Sequence, residues 1–356
     1  MSKTLVFTGT ITAVQPISFA QPMAADASKL PRIGGCLYLT ASGIRSAVRH
    51  AMVGLIADIQ QKKPTLDDYF LLTLGGIKDA KDTKSTKGDD EDEDEKKESS
   101  SNVAYVNRAR FAREHNPAVS VFGSMKHGIP GRLFCSHAVA HPDVLPSVVR
   151  YVRANDFMRD PDLAQRLDEA AMSEFMERQT EAAKRTASKN EIELLDKQKR
   201  AAKKSGDEKE YERLSVLISD IKKTKDNSTA VQLSLPNLVY ECIPQGTELT
   251  HEFVLENAND IEIALFLQSL NELALTPYLG GKKNHGLGRF SGKWFVRARE
   301  AGERKMESIG EIAIDGNFNE MVATNGLVQY LDRSVLEAFL LDPQQAILSD
   351  AALSAA

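Results

Sequence analysis

The sequence predicts an α+β fold: a ferredoxin-like (RRM-like) β-α-β-β-α-β core carrying a large, mainly helical insertion and a disordered acidic loop. Three observations predict it. Segments with a two-residue apolar period and segments with a 3.6-residue period alternate in that order. Residues 78–101 are low in complexity and acidic. Residues 155–226 carry narrow apolar stripes between densely charged faces, which suits a protruding helical hairpin better than a globular core.

Leu5–Val14 sets Leu5, Phe7, Ile11 and Ala13 against threonines, a β-rich alternation that predicts the first strand. A loop with Pro16, Pro22 and Pro31 follows over 15–35. Thr40 or Ser42 then caps a helix running to about Gln60, with Ile44, Val48 and Leu55 facing inward. Arg45 and Arg49 lie four apart and so share one face of it. The stretch from Lys78 to Asn102, with the acidic block Asp89–Glu95, cannot bury enough apolar surface to offset its ordering entropy. Tyr105–Glu114 is rich in arginine; Arg108, Arg110 and Arg113 could bind a polyanion or another protein, or complement the acidic loop before them.

Gly131–Ala138 reads as the second strand. Stripes starting at Leu163, at Ile192 and at Tyr211 predict three helices, and Pro236 ends them. Val239–Val254 holds a turn at Pro244-Gln245-Gly246 and an alternating strand, Asp260–Leu275 a strongly apolar helix, and Phe290–Ala298 the last core strand with Trp294. The core is therefore divided over 1–77, 102–141 and 236–299; the insertion is 142–235, and 300–356 is an acidic extension, partly helical, that packs on the core or a neighbour.

Between the apolar helix and the Trp294 strand lies Leu279-Gly280-Gly281-Lys282-Lys283-Asn284-His285-Gly286-Leu287-Gly288-Arg289-Phe290. Glycine permits positive φ and close backbone approach, and successive N–H groups in such a turn form an anion-binding concavity. Lys282, Lys283 and Arg289 add full charges, so the loop is expected to hold a polyanion. No Ser or Thr follows Gly281-Lys282, which excludes a P-loop. The order helix, glycines, strand is the reverse of a dinucleotide fingerprint.

The formal net charge is −5, unevenly spread. Residues 78–101 carry −4 and residues 300–356 carry −7, which leaves +6 on the rest. A basic body with acidic appendages suits a phosphate-binding face. Cys36, Cys135 and Cys242 are too far apart for a C-x-x-C pair, so neither a disulfide framework nor a zinc site is expected, and no cofactor is implied. No apolar run reaches membrane-spanning length, and the start resembles no signal peptide, so a cytoplasmic protein with no membrane partner is expected.

Four stretches together resemble the RAMP superfamily, the repeat-associated RNA-binding proteins of CRISPR systems. The glycine-rich loop is similar to that family's G-G-x-x-x-x-G-x-G-R turn. Val121-Phe122-Gly123-Ser124 with Gly131-Arg132-Leu133 is similar to its F-G-s…G-r-l segment. Tyr38–Arg49 resembles its helix that opens on small hydroxyl residues, and Glu241–Thr247 its turn before the third strand. The closest likeness is to the subunit that polymerises along the guide RNA, and the acidic loop and helical insert resemble the type IV, often plasmid-borne, branch.

The resemblance implies a non-catalytic RNA-binding protein whose insertion occupies the place of the family's thumb. Its RNA-binding residues would be Ser42, Arg45, Arg49, Lys126, His127, Arg132, Gly280, Gly281, Lys282, Lys283, Asn284, His285, Gly286, Gly288 and Arg289. Implied partners are the CRISPR guide RNA, the complementary target nucleic acid, further copies of the chain in a helical filament, and other effector subunits. Arg45 and Arg49 would sit on guide phosphates, so reversing both charges is expected to abolish assembly and spare the fold. The alternative is an endoribonuclease of the same fold. It would use a metal ion at Asp26 or histidine acid–base chemistry at His285, His127 or His137.

Overall fold

The computed structural model describes residues 2–19, 29–77, 104–151, 169–205, 207–226, 238–281 and 283–356. The expected acidic disordered loop, Asp26 and Lys282 lie outside the described residues. The chain divides into two compact units, residues 1–149 with 240–356, and residues 150–239.

In the first unit β1 (Lys3–Ala13), β2 (Arg32–Ile33) and β3 (Cys36–Leu39) precede helices α1 (Ala41–Gln60) and α2 (Leu66–Leu74). Helix α3 (104–115) and the short α4 (Pro117–Phe122) lead into β4 (Leu133–Cys135) and β5 (Ala138–Ala140). Strands β6 (Ser147–Tyr151) and β7 (Leu238–Cys242) flank helices α5 (Glu169–Ser205) and α6 (Glu208–Asp226) and pair with each other. Then come β8 (Glu248–Ala258), α7 (Asp260–Leu275), β9 (Phe290–Glu300), β10 (Glu307–Ile314), β11 (Val322–Ala323), α8 (Arg333–Leu341) and α9 (Asp350–Ala355).

The main sheet has nine antiparallel strands in the order β11-β10-β9-β1-β8-β5-β3-β2, with β4 also on β8. The sheet is larger than the four strands expected from the sequence. Strands β10 and β11 come from the acidic extension. Within β10, Ile312 and Ile314 turn inward while Glu307 stays exposed, so a short amphipathic strand lies inside an acidic stretch. β1 shows why alternation predicted it: Leu5, Phe7, Ile11 and Ala13 are buried on one face.

Helices α1 and α7 pack together, and the core is sealed by rings from three elements. Phe266 of α7 meets Phe7 of β1 and Phe253 of β8 edge-on, each at 5.4 Å between centroids. Such T-shaped pairs add to the burial of their own large apolar area. α7 begins with a reciprocal capping box: Glu262 N donates to Asn259 Oδ1 at 2.9 Å and Asn259 N to Glu262 Oε2 at 2.8 Å.

Among the described residues of the second unit two helices stand where three were expected. Residues 178–192 contain no Gly or Pro, so the first two predicted helices run on as the single α5. Ala202 of α5 and Leu214 and Ile218 of α6 are buried. Asp207 Oδ1 caps α6 by accepting from Glu210 N at 3.1 Å.

One polar cluster lies inside the core. Trp294 Nε1 donates to His251 Nδ1 at 3.2 Å, which leaves the His251 Nε2–H to face Cys135 Sγ at 3.4 Å. Burial pushes the His251 pKa down to about 4 and the Cys135 thiol up to about 12, so both are neutral at physiological pH. An unfolded histidine takes up its proton near pH 6.5, so His251 costs the folded state stability as pH falls from there towards 4. Between about pH 7 and pH 5 this loss amounts to about 2 kcal/mol. Urea unfolding of His251→Gln is expected to be flatter over that interval by the same amount. Equal pH slopes for variant and wild type would contradict the assignment.

Candidate nucleic-acid interface

α1 starts where expected, with Thr40 Oγ1 accepting from Gly43 N at 3.2 Å. Its buried stripe, Ile44, Val48, Met52, Leu55, Ile56 and Ile59, faces the sheet. Arg45 and Arg49 flank that stripe on one side, half-buried. Their bonding partners were not foreseeable from spacing. Arg45 Nη2 donates to Phe122 O at 2.6 Å, the last residue of α4. Arg49 gives Nε to Leu72 O at 2.5 Å, and Nη2 to Leu71 O at 2.8 Å and Gly123 O at 3.2 Å. It thereby closes the carbonyl ends of α2 and α4 together. The C-terminus of a helix presents unsatisfied carbonyls and partial negative charge, which a guanidinium answers on both counts.

Burial lowers the pKa of both arginines. For Arg49 the neighbouring charge of Arg45 adds to burial and brings it down to about 10, still protonated at neutral pH. Two cations held this close in a half-buried wall favour an anion between or beside them.

These side chains line an open groove of about 1090 Å³. One wall is the start of α1, with Ser42, Arg45, Ser46 and Arg49. The other is the 123–131 loop, and the floor is β4 and β8 with Phe134, Cys135 and Val254. Arg132 completes the cationic set, with Glu256 the one carboxylate among the described lining residues. Phe134 is 56% exposed and presents an apolar ring to the groove.

Arg132 is itself anchored. Its Nε lies 3.1 Å from Glu262 Oε1, a carboxylate with 1% side-chain exposure. Ser120 Oγ hydrogen-bonds the same oxygen. Arg113 Nη1 in turn donates to Ser120 O at 2.6 Å, and Arg113 Nη2 to Pro130 O at 2.8 Å. The Glu262 carboxylate that caps α7 therefore also steadies the groove loop through two arginines. Of the three α3 arginines left open by the sequence, Arg113 has this internal role and Arg110 pairs with Glu114.

Lys126 and His127 are engaged elsewhere. Lys126 Nζ lies 2.6 Å from Asp350 Oδ2 and His127 Nε2 3.0 Å from Asp350 Oδ1, and His127 is 7% exposed. Burial alone would raise the Asp350 pKa, but the hydrogen bonds and charges of Lys126 and His127 outweigh it and hold the carboxyl below its usual value. His137 caps α1, its Nδ1 accepting from Ala41 N at 3.0 Å.

The glycine-rich loop sits beside the start of α1, with one ring between them. A Cβ on Gly43 would fall 2.0 Å from Phe19 Cε1, and one on Gly280 2.9 Å from the opposite ring edge at Cδ2 and Cε2. Both glycines let Phe19 fill this gap. The expected amide cradle is largely occupied: Gly281 N donates to Ser18 O at 3.2 Å, Gly288 N to Pro16 O at 2.9 Å and Gly286 N to Lys283 O at 3.0 Å. These bonds lock the loop onto the 16–18 segment. What faces outward is the 3₁₀ turn Lys283–His285, whose side chains, including Asn284, are exposed. The Arg289 Nε is buried and has no hydrogen-bond partner among the described residues.

Sequence reasoning missed Glu262, Ser120, Phe134, Phe19 and Asp350. Only Glu262 left a signal, the Asn259-x-x-Glu262 capping-box spacing.

The described residues thus form a mixed helix-and-sheet protein with a large antiparallel sheet and a groove lined by three arginines. The sequence profile of the RAMP superfamily matches residues 3–291, and the chain belongs to that superfamily. No curated sequence matches the chain. Among solved structures it is similar to a chain of a "Type IV-B CRISPR Complex", at 14% identity and TM-score 0.38, over 85% of this chain and 92% of that one. Among the described residues no helix is long and apolar enough to cross a membrane.

The two α1 arginines differ in what they hold, so their removal should differ. Arg49→Ala strands the Leu72 and Gly123 carbonyls, while Leu71 O keeps its bond from Gly75 N; it is expected to cost about 2 kcal/mol, and Arg45→Ala, which strands one carbonyl, about 1 kcal/mol. Reversing both charges is therefore expected to destabilise the fold as well as weaken binding, where the sequence alone led to the expectation that the fold is spared. Thermal unfolding of the single variants checks this; a larger loss for Arg45→Ala would contradict it.

Proposed function

We propose that this chain is a sequence-independent guide-RNA-binding backbone subunit of a type IV CRISPR effector complex. The observation that carries the reading is the groove wall, where Arg45, Arg49 and Arg132 gather and, among the described lining residues, Glu256 is the one carboxylate, with Glu262 behind Arg132. Guanidinium groups neutralise phosphate without reading bases, so affinity comes from counterion release and specificity from guide–target pairing. Ser42 and Ser46 add hydroxyl donors for phosphate oxygens, and Phe134 offers a stacking surface for an unpaired base. The exposed Lys283, Asn284 and His285 extend the cationic track on the far side of Phe19.

The core behind this track is read as a ferredoxin-like unit. Strands β9, β1, β8 and β4 lie in that spatial order, and the two crossover helices α1 and α7 pack together. Copies would stack head to tail, a heterologous contact that does not close and so forms a helical filament with the target strand paired along it. The helical unit over 150–239 is assigned the thumb's role toward a neighbouring copy. The subunit is taken to be structural rather than catalytic, and to work in the cytoplasm beside other effector subunits.

Single-stranded RNAs of about 20 and about 40 nucleotides should recruit copies in proportion to length, measured by light scattering. Arg45→Gln should weaken binding and lower the slope of log K against log salt by about 0.7, the share of one single-strand phosphate contact. Length-independent stoichiometry, or an unchanged slope in the variant, would reject the reading.

A further inference from the structure

The 123–131 loop forms one wall of the groove, and its rear is held by the far end of the chain. Asp350 opens α9, the last helix, and its carboxylate has 8% exposure between Lys126 and His127 of the loop. Its backbone N–H donates to Asp68 Oδ1 of α2 at 2.8 Å. Three residues on, Leu353 is fully buried in a small satellite cluster with Leu71, Ala112, Val119 and Ile129. This cluster is separate from the main core, and among the described residues it ties α9 to α2, α3, α4 and the 123–131 loop. Removing one partner of a buried ion pair leaves the others desolvated and unpaired, so these contacts are made together or lost together. The superfamily match ends at residue 291, so this segment lies beyond the part of the chain the family profile describes.

We propose that Asp350 is a positioning residue and α9 a C-terminal latch: docked, it fixes the 123–131 loop in the geometry that admits an RNA strand. The proposal rests on the RNA-binding reading above and adds a control to it. Docking and RNA binding are then linked, and each strengthens the other by the same factor. Anything that pulls the last helix away, a neighbouring subunit included, opens the loop and weakens the grip on RNA.

Full-length Asp350→Asn, Leu353→Ala and Asp350→Glu variants test it, with two readouts in one buffer. Hydrogen exchange without RNA reports on the loop, and fluorescence anisotropy with a labelled single-stranded oligonucleotide reports on binding. Asp350→Asn and Leu353→Ala should speed exchange in 123–131 and weaken RNA binding about tenfold, while exchange in β1 and β8 stays at the wild-type level. Asp350→Glu, which keeps the carboxylate, should restore most of the affinity. Unchanged loop exchange in both damaging variants rejects the latch. Faster loop exchange with RNA affinity within twofold of wild type rejects the positioning role. Wild-type protein that binds no RNA overturns the RNA reading and the positioning role with it, and the exchange result alone then decides whether the latch exists.

Discussion

The guanidinium of Arg49 is the constraint on which the groove depends. It donates to Leu71 and Leu72 at the end of α2 and to Gly123 just past α4, and it stacks over the Phe122 ring at 5.8 Å. Without a cation at that point, two helix C-termini would converge with unpaired carbonyls and like partial charges. With it, α1, α2 and α4 meet at fixed distances, and the 123–131 loop leaves α4 in a defined direction. Burial, with the neighbouring charge of Arg45 added, lowers its pKa only as far as about 10, so it still contributes to the field of the groove. One residue thus serves both architecture and electrostatics, and the division of labour with Arg45 follows from counting carbonyls.

A second constraint is steric. The glycine-rich loop contains residues that a nucleotide-binding loop would also contain, yet several of its amides are spent on the carbonyls of Pro16, Ser18 and Lys283. Its glycines at 280, 286 and 288 have φ of 81°, 72° and 96°, the left-handed region open to glycine. Backbone economy of this kind builds a rigid spacer that holds Phe19 against α1, and places a small exposed cationic turn at its tip. The loop positions charge more than it cradles it.

Much of the fold was legible because side-chain periodicity and capping are local. β1, α1, α7 and β9 each show their burial pattern in a handful of neighbouring residues, and Thr40 caps α1 as its position implied. α2 was overlooked although Thr65 and Asp68 form its N-cap and Gly75 its left-handed stop. β10 was hidden because its inward residues are few and set among glutamates. The site was less legible. The spacing of Arg45 and Arg49 correctly put them on one face, but their acceptors lie 77 and 22–74 residues away in sequence. Asp350, one acid in an acidic tail, meets Lys126 across 224 residues. No periodicity encodes such a pairing; only the completed fold brings it about.

The central claim is that an unpaired RNA strand runs through the groove between α1 and the 123–131 loop. Photo-crosslinking of the full-length protein to a uridine-substituted single-stranded RNA, followed by mass spectrometry of the linked peptides, tests it most directly. The account predicts crosslinks within residues 41–49 and 122–135, with Phe134 among them, and at the Lys283–His285 turn. Crosslinks confined to β10, β11 or the α8 face, with the groove peptides unmodified, would contradict it.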